Sequence, residues 1–240
     1  MLSKKEIKDI QSLAHKKFRD ELKLFVAEGP KIVQELIQLI PHQIQKIYAT
    51  QEWLKEHKPL EQVNIIEINQ GELERISHLQ TPNQVLAVIN QFEKREPLSS
   101  TFTLYLDAIQ DPGNFGTIIR IADWFNIPDI VCGAGCADRY NPKVVQSTMA
   151  SIARINVYYD NENRWLQNKN QPVLAATLNG TSLYDHPKIN NGILVIGNES
   201  RGIRPEILQQ VKEQITIPRK GNAESLNAAV ATGIILSHLL

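Results

Sequence analysis

The residues with the clearest chemical potential follow apolar, strand-like runs in the second half of the chain. The segment Asp111-Pro-Gly-Asn114-Phe-Gly116 follows one such run and opens a helical one, where open α/β sheets bind their ligands. Further along, Arg120 interrupts a run of apolar residues, and its fixed fork of donors suits a phosphate. An asparagine at a helix start is often only a cap, and Arg120 could form an i,i+3 ion pair with Asp123 instead. Spacing alone leaves both interpretations open.

Residues 215–240, ITIPRKGNAESLNAAVATGIILSHLL, join a β-branched run, a polar loop and a nearly uncharged apolar segment. The pattern predicts a buried strand at 215–217, ended by Pro218, and a helix at 226–239 with Ser225 as its N-cap. Backbone N–H groups of the loop and helix start would favour electron-rich groups. A helix this apolar must be buried in the core or against another subunit. An ordinary βα unit has the same pattern, so these residues alone do not establish a site.

A third polar segment, Gly197-Asn198-Glu199-Ser200-Arg201-Gly202, follows the apolar run 192–196. Its glycines permit tight turns and let a ligand approach the backbone, but the spacing matches neither a Walker loop nor G-x-G-x-x-G. Taken alone, Glu199 is as consistent with a solvated loop carboxylate as with a catalytic one.

Composition sets broad limits. A chain of 240 residues with 42% hydrophobic residues can bury a sizeable core in one or two domains. Lysine plus arginine equals aspartate plus glutamate, 26 against 26, so net charge gives no argument for a nucleic-acid partner. Residues 1–23 are locally basic, which indicates either an RNA contact or a solvated helix face. Two cysteines are too few for a zinc site, and no signal peptide or membrane-length apolar run is present, so we expect a cytoplasmic protein.

The order of the apolar runs predicts an α/β fold in two domains, residues 1–95 and 96–240. Residues 3–22 have the pattern of one amphipathic helix, and residues 24–92 alternate short β-like and helical runs, as in a small α/β domain. The charged segment 93–100, EKREPLSS, is typical of a linker. Beyond it, strand-like and helical runs alternate, which predicts a mainly parallel sheet with helices on both faces. The predicted strands are 104–108, 130–132, 156–159, 173–177, 193–196 and 215–217, and the predicted helices are 115–125, 142–153, 164–168, 205–213 and 226–239.

Three segments, in the right order, resemble the signatures of the SpoU-type, TrmH-like RNA ribose 2′-O-methyltransferases, a branch of the SPOUT superfamily. They are LDAIQDPGNFGTIIRIADWFNI from Leu106, LVIGNESRGIRPEIL from Leu194 and IPRKGNAESLNAAVA from Ile217. Two departures are small: Asn126 stands where glycine is frequent, and Arg219 where an apolar residue is frequent. An earlier segment, FVAEGPKIVQELI, resembles the start of the RNA-binding domain, similar to a small ribosomal protein, that precedes many such catalytic domains.

The resemblance implies a function and a set of site residues. The function is S-adenosylmethionine-dependent methylation of a ribose 2′-hydroxyl in ribosomal RNA or, second, transfer RNA, without a metal and by a homodimer. The fold would contain a C-terminal trefoil knot, which base rates disfavour. The implied catalytic residues are Arg120, Asn114, Glu199, Ser225 and Asn227. The implied cofactor-binding residues are Thr177, Leu178, Asn179, Gly180, Gly197, Asn198, Ile217 and Leu226. Basic residues expected to contact RNA are Lys16, Lys17, Arg19, Arg201, Arg204, Arg219 and Lys220.

Four questions stay open at this point. Arg120 would be the general base in the family view, but a guanidinium remains charged in proteins, so it could instead hold phosphate and stabilise the developing alkoxide. A non-catalytic RNA-binding protein on the same scaffold is the main alternative, although all five catalytic residues are present. A dehydrogenase-like nucleotide enzyme is disfavoured because the glycine-rich fingerprint is missing. The sequence does not indicate which RNA or nucleotide is modified.

Overall fold

The computed structural model describes residues 1–57, 63–98, 101–167 and 169–240. Their helices are α1 Lys4–Ser12, α2 Lys16–Leu22, α3 Pro30–Leu39, α4 Gln51–Glu56, α5 Gln70–Ile76, α6 Pro112–Trp124, α7 Pro142–Thr148, α8 Pro205–Leu208 and α9 Ala228–Leu239. Their strands are β1 Leu24–Glu28, β2 Ile44–Ala49, β3 Ile65–Glu67, β4 Val85–Asn90, β5 Thr103–Asp107, β6 Asp129–Gly133, β7 Asn156–Asp160, β8 Val173–Ser182, β9 Ile193–Gly197 and β10 Glu213–Thr216. The chain forms two compact units: Met1–Glu93 with Asp138–Ala153, and Lys94–Ala137 with Arg154–Leu240.

The first unit is a sheet of order β1-β4-β2-β3 with helices on both faces. Because side chains alternate along a strand, Phe25 and Ala27 of β1 join one apolar cluster and Val26 joins the other. Helices α3 and α4 cover the first face, and α1 and α5 cover the second. Both faces are therefore buried, which explains why the strands have continuous apolar runs.

The predicted division at residue 95 differs from the observed packing in one segment, Asp138–Ala153, which belongs to the first unit. Within that segment Tyr140, Val145, Ala150 and Ile152 are buried in the same cluster as α3. The Tyr140 ring lies 4.8 Å from that of Phe25. Sequence reasoning assigned these residues to the second domain because it follows chain order, whereas apolar burial joins segments that are distant in sequence.

The single helix predicted at 3–22 is wrong, since α1 and α2 are separate. The side chains of Ser3 and Glu6 form a capping box that starts α1. The break follows from Arg19, whose Nη1 donates to the carbonyl oxygens of Leu13 (2.7 Å) and Ala14 (2.8 Å). Its Nε and Nη2 donate to Asp138 Oδ2 at 3.1 and 2.7 Å. Arg19 is only 2% exposed, so its predicted role as an RNA contact is also wrong.

The second unit contains a sheet of order β10-β8-β9-β5-β6-β7, in which every strand pair of the described chain is parallel. The predicted α/β fold with a mainly parallel sheet is confirmed. Tyr105, Val131 and Val195 pack under α8 on one face, while α9 packs against α6 and β9. At residue 180 β8 runs so close to the backbone of Gln214 in β10 that a Cβ atom would have no room, which is why glycine stands there.

Some predicted bounds differ from those observed. Helix α8 ends at Leu208 rather than 213, and residues 164–167 form a turn rather than a helix, with residue 168 lying outside the described residues. Residues 94–98 of the predicted linker 93–100 belong to the second unit. Arg95 forms an ion pair with Asp129 at 3.5 Å, and the Leu98 amide donates to the same carboxylate. Residues 99 and 100 lie outside the described chain.

Candidate active site

Helix α6 begins with a cap that leaves the Asn114 side chain available. Asp111 is the N-cap, and its Oδ1 accepts from the Asn114 amide N–H at 2.7 Å, while Pro112 occupies the first turn, where no donor is needed. The alternative role of Asn114 as the cap is therefore wrong. Its side-chain amide is used elsewhere.

Helix α9 begins two residues later than predicted. Asn227 is its N-cap, with Oδ1 accepting from the amides of Ala229 (3.0 Å) and Val230 (3.2 Å). The prediction of Ser225 as the cap is wrong because one amide oxygen satisfies both of these helix donors, and Ser225 and Leu226 stay outside the helix. Since Asn227 Oδ1 faces its own helix, its Nδ2 group must point away from it.

Three of the predicted catalytic side chains form one hydrogen-bonded chain. Asn227 Nδ2 donates to Asn114 Oδ1 at 2.7 Å, and Asn114 Nδ2 donates to Glu199 Oε1 at 2.6 Å. Only one orientation of each side-chain amide satisfies these bonds. Asn227, at the start of α9, therefore holds Asn114, and Asn114, at the start of α6, presents its Nδ2 group to Glu199. A carboxylate has two oxygens with several acceptor positions, so Glu199 can still accept a hydrogen bond from a substrate hydroxyl.

The loop that carries Glu199 is folded by Asn198. Its backbone N–H and C=O exchange hydrogen bonds with Gly202, at 3.0 and 2.9 Å. Its Oδ1 accepts from the amides of Ser200 (3.0 Å) and Arg201 (3.1 Å). Gly202 has a φ of 69°, a left-handed conformation that glycine adopts without steric cost. The segment is thus a tight, internally bonded turn in which Glu199 stands at a defined position.

A cavity of about 720 Å³ lies beside this chain of polar groups. Most of its wall comes from three segments: 176–179 of β8, 196–203 around the Glu199 turn, and 214–226, of which Asn222 is not a lining residue. Leu208 and the α9 residues Ala228, Ala231 and Ile235 complete the described lining. Seven of the predicted cofactor-binding residues line it: Thr177, Leu178, Asn179, Gly197, Asn198, Ile217 and Leu226. Gly180 is not among the described lining residues and serves the close approach of β8 and β10 instead. Glu199 and Ser225 also line the cavity.

Arg120 is exposed and forms no hydrogen bond or ion pair with any residue that the structure describes. The alternative pair with Asp123 is not formed, because the Asp123 carboxylate is bound by Arg154 at 2.7 Å. Arg120 is also not bonded to Asn114, Glu199 or Asn227 in the described chain. Spacing of i,i+4 places it on the face of α6 that carries Trp124, which is 84% exposed.

The other basic residues fall into two groups. Arg201, Arg219 and Lys220 are exposed and line the cavity mouth, and Arg219 Nη1 donates to the Ala223 carbonyl at 3.1 Å. In the first unit Lys16 and Lys17 are exposed, with Lys16 in an ion pair with Asp20. Positive charge therefore lies on the surface at both places where the sequence predicted RNA contacts, except at Arg19.

Sequence reasoning missed a buried polar network behind the Glu199 turn. Arg204 donates through its amide N–H and Nε to the two oxygens of Asp107, each at 2.7 Å, and through Nη2 to Asn163 at 3.0 Å. The hydrogen bond to Asp107 raises the pKa of the Arg204 guanidinium. Burial, with Asp160 beside it, raises the pKa of Tyr105 and keeps its hydroxyl protonated as a donor to Asp160. The sequence contains one sign of this network, because Asp107 is a charged residue at the end of an apolar strand. The expected RNA contact by Arg204 is not supported, because its Nε and Nη2 groups are bound to Asp107 and Asn163.

The described residues contain neither a candidate metal site nor a membrane-spanning helix. No group of three or more His, Cys, Asp or Glu residues within the described ranges is placed to hold a metal ion. No helix in that part of the chain has the length and apolar character needed to cross a membrane.

Comparison with known proteins finds a matching family model for each half of the chain. Residues 101–237 match the model of the SpoU rRNA methylase family, and residues 4–87 match that of the MRM3-like substrate binding domain. The chain is 30% identical to the 23S rRNA (guanosine(2553)-2′-O)-methyltransferase RlmP of Bacillus subtilis, over 98% of this chain and 95% of that one. A solved protein of the TrmH family of RNA methyltransferases, from Porphyromonas gingivalis, superposes with a TM-score of 0.90 at 37% identity, over 100% and 98% of the two chains. An AdoMet-bound rRNA methyltransferase from Sinorhizobium meliloti superposes with a TM-score of 0.85 at 28% identity, over 100% and 95%.

Proposed function

Because the chain belongs to the SpoU rRNA methylase family, we propose that it transfers a methyl group from S-adenosylmethionine to a ribose 2′-oxygen of ribosomal RNA. One observation carries the proposal: the hydrogen-bonded chain Asn227–Asn114–Glu199 ends in a carboxylate on the wall of the large cavity. An oriented acceptor beside a ligand cavity is what a reaction at a hydroxyl group requires. A cytoplasmic location is part of the proposal, and the similarity to a bacterial 23S rRNA methyltransferase supports it.

The cavity fits the cofactor in size and in chemistry. Its volume of about 720 Å³ lies within the roughly 300–1,000 Å³ of small-molecule sites. Leu178, Ile217 and Leu226 offer apolar surface for a purine, and the three loops offer backbone groups for its polar edge. Thr177 Oγ1 is buried without a hydrogen-bond partner among the described residues, and a polar ligand in the cavity would satisfy it. S-adenosylmethionine supplies, when bound, a methyl group that an oxygen nucleophile can attack.

The chain's own residues position the nucleophile. Glu199, held by Asn114, accepts a hydrogen bond from the ribose hydroxyl and fixes its direction. Ser225 lines the cavity and Asn227 is bound to Asn114, so both limit how the ribose can lie. Arg120 attracts the neighbouring phosphate and stabilises the negative charge that develops on the oxygen. Holding two substrates at near-attack distance supplies a large share of the rate.

The function is tested by methyl transfer from labelled S-adenosylmethionine to ribosomal RNA purified from a strain that lacks this protein. One ribose should become labelled, and mapping its position identifies the nucleotide. S-adenosylmethionine should raise the melting temperature of the protein and NAD should not, because only a ligand of the native cavity stabilises the fold. A protein that binds RNA and the cofactor but transfers no methyl group to any ribosomal RNA would be a non-catalytic RNA-binding protein, and the proposal would fail.

The first unit is the RNA-binding module in this proposal. Support comes from the match of residues 4–87 to a substrate binding domain and from the exposed Lys16 and Lys17 on α2. The buried bonds of Arg19 hold α2 in place, so both lysines are presented from a fixed helix.

Replacing Lys16 and Lys17 together by alanine should weaken RNA binding and leave the cofactor-induced rise in melting temperature unchanged. Loss of phosphate contacts should also reduce the slope of log affinity against log salt, by roughly 0.7 to 0.9 for each contact. Lys188→Ala, at an exposed site of the second unit, is the matched control and should keep the wild-type slope. An unchanged slope in the double variant would remove α2 from the RNA-binding surface.

We also propose that the active protein is a homodimer formed through α6 and α9. Trp124 on α6 and Val230 on α9 are 84% and 52% exposed, although the two helices pack against each other. Large apolar side chains that two packed helices leave exposed to solvent mark an interaction site. Arg120 shares the face of Trp124, so a second copy bound there would cover the arginine that the single chain leaves without a partner.

Sedimentation of the wild-type protein at micromolar concentration should therefore show a dimer. Trp124→Glu should shift it to a monomer and abolish methyl transfer, because a charge at the centre of an apolar contact is costly to desolvate. Leu39→Glu, which places the same charge at an exposed apolar residue of α3, is the control, and this variant should remain dimeric. A monomeric wild-type protein with full activity would contradict the proposal.

We also propose that the chain between β8 and α9 forms the trefoil knot that the family resemblance implies. Support is the close passage of β10 beside Gly180, which brings this segment tightly against an earlier strand.

A further inference from the structure

The loop that carries Glu199 is fastened at both ends to the carboxyl end of β5. At its start, Asn198 Nδ2 donates to the Ala108 carbonyl at 2.9 Å. At its end, the Arg204 amide and Nε bind the two oxygens of Asp107. Asp107 and Gly197 are also register partners in neighbouring strands. The start of the loop is thus bound to Ala108, just after β5, and its end to Asp107, the last residue of β5, and these bonds fix the position of the loop relative to the sheet.

Asp107 has no role in the cavity that would explain its charge. It is 1% exposed and is not among the described residues that line the cavity. A buried carboxylate is costly unless it is paired, and Arg204 provides the pairing here. The next residue, Ala108, has a φ of 56°, a left-handed conformation that is strained for alanine. Such strain persists only where the surroundings over-determine the backbone, and it concentrates at functional sites.

A second set of bonds holds the guanidinium itself. Asn163 Oδ1 accepts from Arg204 Nη2 at 3.0 Å and from the Ala134 amide at 2.9 Å. A Cβ atom at Gly133 would lie 2.8 Å from the Tyr105 hydroxyl and 3.3 Å from Arg204 Nη2, so no side chain fits between these groups. The guanidinium is therefore confined on the side away from Asp107 as well. This degree of restraint exceeds what an ordinary surface arginine needs.

We propose that Asp107 and Arg204 are positioning residues for methyl transfer, which hold the Glu199 turn so that the carboxylate meets Asn114. The inference rests on the proposed function. If Arg204 acts by positioning Glu199, replacing Arg204 should lower the rate of methyl transfer only while Glu199 is present. If Arg204 is purely structural, its replacement should lower the rate equally with glutamate or glutamine at position 199. Displacement of a reacting group by about 1 Å can cost roughly 100-fold in rate. The two roles are therefore distinguishable in a double-mutant cycle.

The cycle consists of wild type, Arg204→Lys, Glu199→Gln and the double variant, each measured by single-turnover methyl transfer at saturating RNA and cofactor. Lysine keeps the charge and loses the Nε and Nη2 donors in their fixed arrangement. Arg204→Lys should lower the wild-type rate by roughly 10- to 100-fold, and Glu199→Gln by roughly 100-fold. In the Glu199→Gln background, Arg204→Lys should lower the rate by less than about threefold, since residues that act as a unit are strongly non-additive.

The matched control is Glu206→Ala, which removes the exposed carboxylate 3.9 Å from the same guanidinium and should keep the wild-type rate. If Arg204→Lys does not fold, Asn163→Ala removes one acceptor of Arg204 Nη2 and replaces it in the cycle, with an expected loss of about three- to tenfold. Equal losses in both backgrounds, or a wild-type rate for the folded Arg204 or Asn163 variant, would overturn the inference. A wild-type rate for Glu199→Gln would instead overturn the assignment of the active site, and the inference with it.

Discussion

Replacing Arg120 by alanine is expected to lower single-turnover methyl transfer by roughly 100-fold or more while the protein folds and binds S-adenosylmethionine normally. The size of the loss is that of removing a positioned electrostatic or proton-transfer group. Cofactor binding should be unaffected because Arg120 is not among the described residues that line the cavity. Folding should be unaffected because the exposed guanidinium has no hydrogen bond or ion pair within the described chain. The measurement is the labelled-methyl assay at saturating RNA and cofactor.

Arg164→Ala serves as the control, since Arg164 is 72% exposed in a surface pair with Glu162 and such pairs contribute at most about 1 kcal/mol. It should react at the wild-type rate. Arg120→Lys keeps the charge and loses the fork of donors, so substantial rescue would indicate that a point charge suffices. A wild-type rate for Arg120→Ala would remove this residue from the mechanism.

Replacing Gly197 by alanine is expected to abolish the cofactor-induced rise in melting temperature and to reduce methyl transfer to background. A Cβ atom at this position would lie 2.5 Å from the Gly202 carbonyl carbon and 2.6 Å from the Ile203 amide nitrogen. These are backbone atoms of the turn that carries Glu199, so the turn must move as a whole. Overpacking of this kind costs roughly 1–3 kcal/mol of stability, and here it also displaces a cavity wall.

Gly221→Ala makes the same change in another loop of the cavity, where nothing lies within 4 Å of the added atom. It should bind the cofactor as the wild-type protein does. Calorimetric titration with S-adenosylmethionine compares the two variants directly. If Gly197→Ala binds with wild-type affinity, the turn is more adaptable than its bonds to Gly202 and Ala108 indicate, and the rigid-wall interpretation fails.

The sequence predicted the elements of the second unit well because each strand and helix there has a distinct apolar period. The family resemblance implied seven residues that line the cavity, because two of its three signatures fall in the loops after β9 and β10, which form much of the wall. Local capping was harder. Ser225 and Asn227 are both residue types that favour N-caps. The observed cap, Asn227, is also the residue that bonds to the Asn114 side chain, and the two residues are 113 positions apart in the sequence.

Long-range polar pairing accounts for the remaining differences. Arg19 stands among lysines in a basic helix, and nothing in that pattern indicates that Asp138 accepts its hydrogen bonds. Asp107 and Arg204 are 97 positions apart, so neither reveals the other in the sequence. Hydrophobic periodicity identifies the face that is buried, but it does not identify the partner of a buried charge.

The placement of Asp138–Ala153 in the first unit has a consequence for how the protein is made. The ribosome releases residues 1–93 well before the segment that completes their apolar cluster. Synthesis of residues 94–153 takes about 3–12 s at the usual rate of roughly 5–20 residues per second. During that interval Phe25 and the neighbouring cluster residues lack Tyr140 and Val145 as packing partners. The nascent first unit therefore exposes part of its apolar cluster while most of the first half of the catalytic sequence emerges.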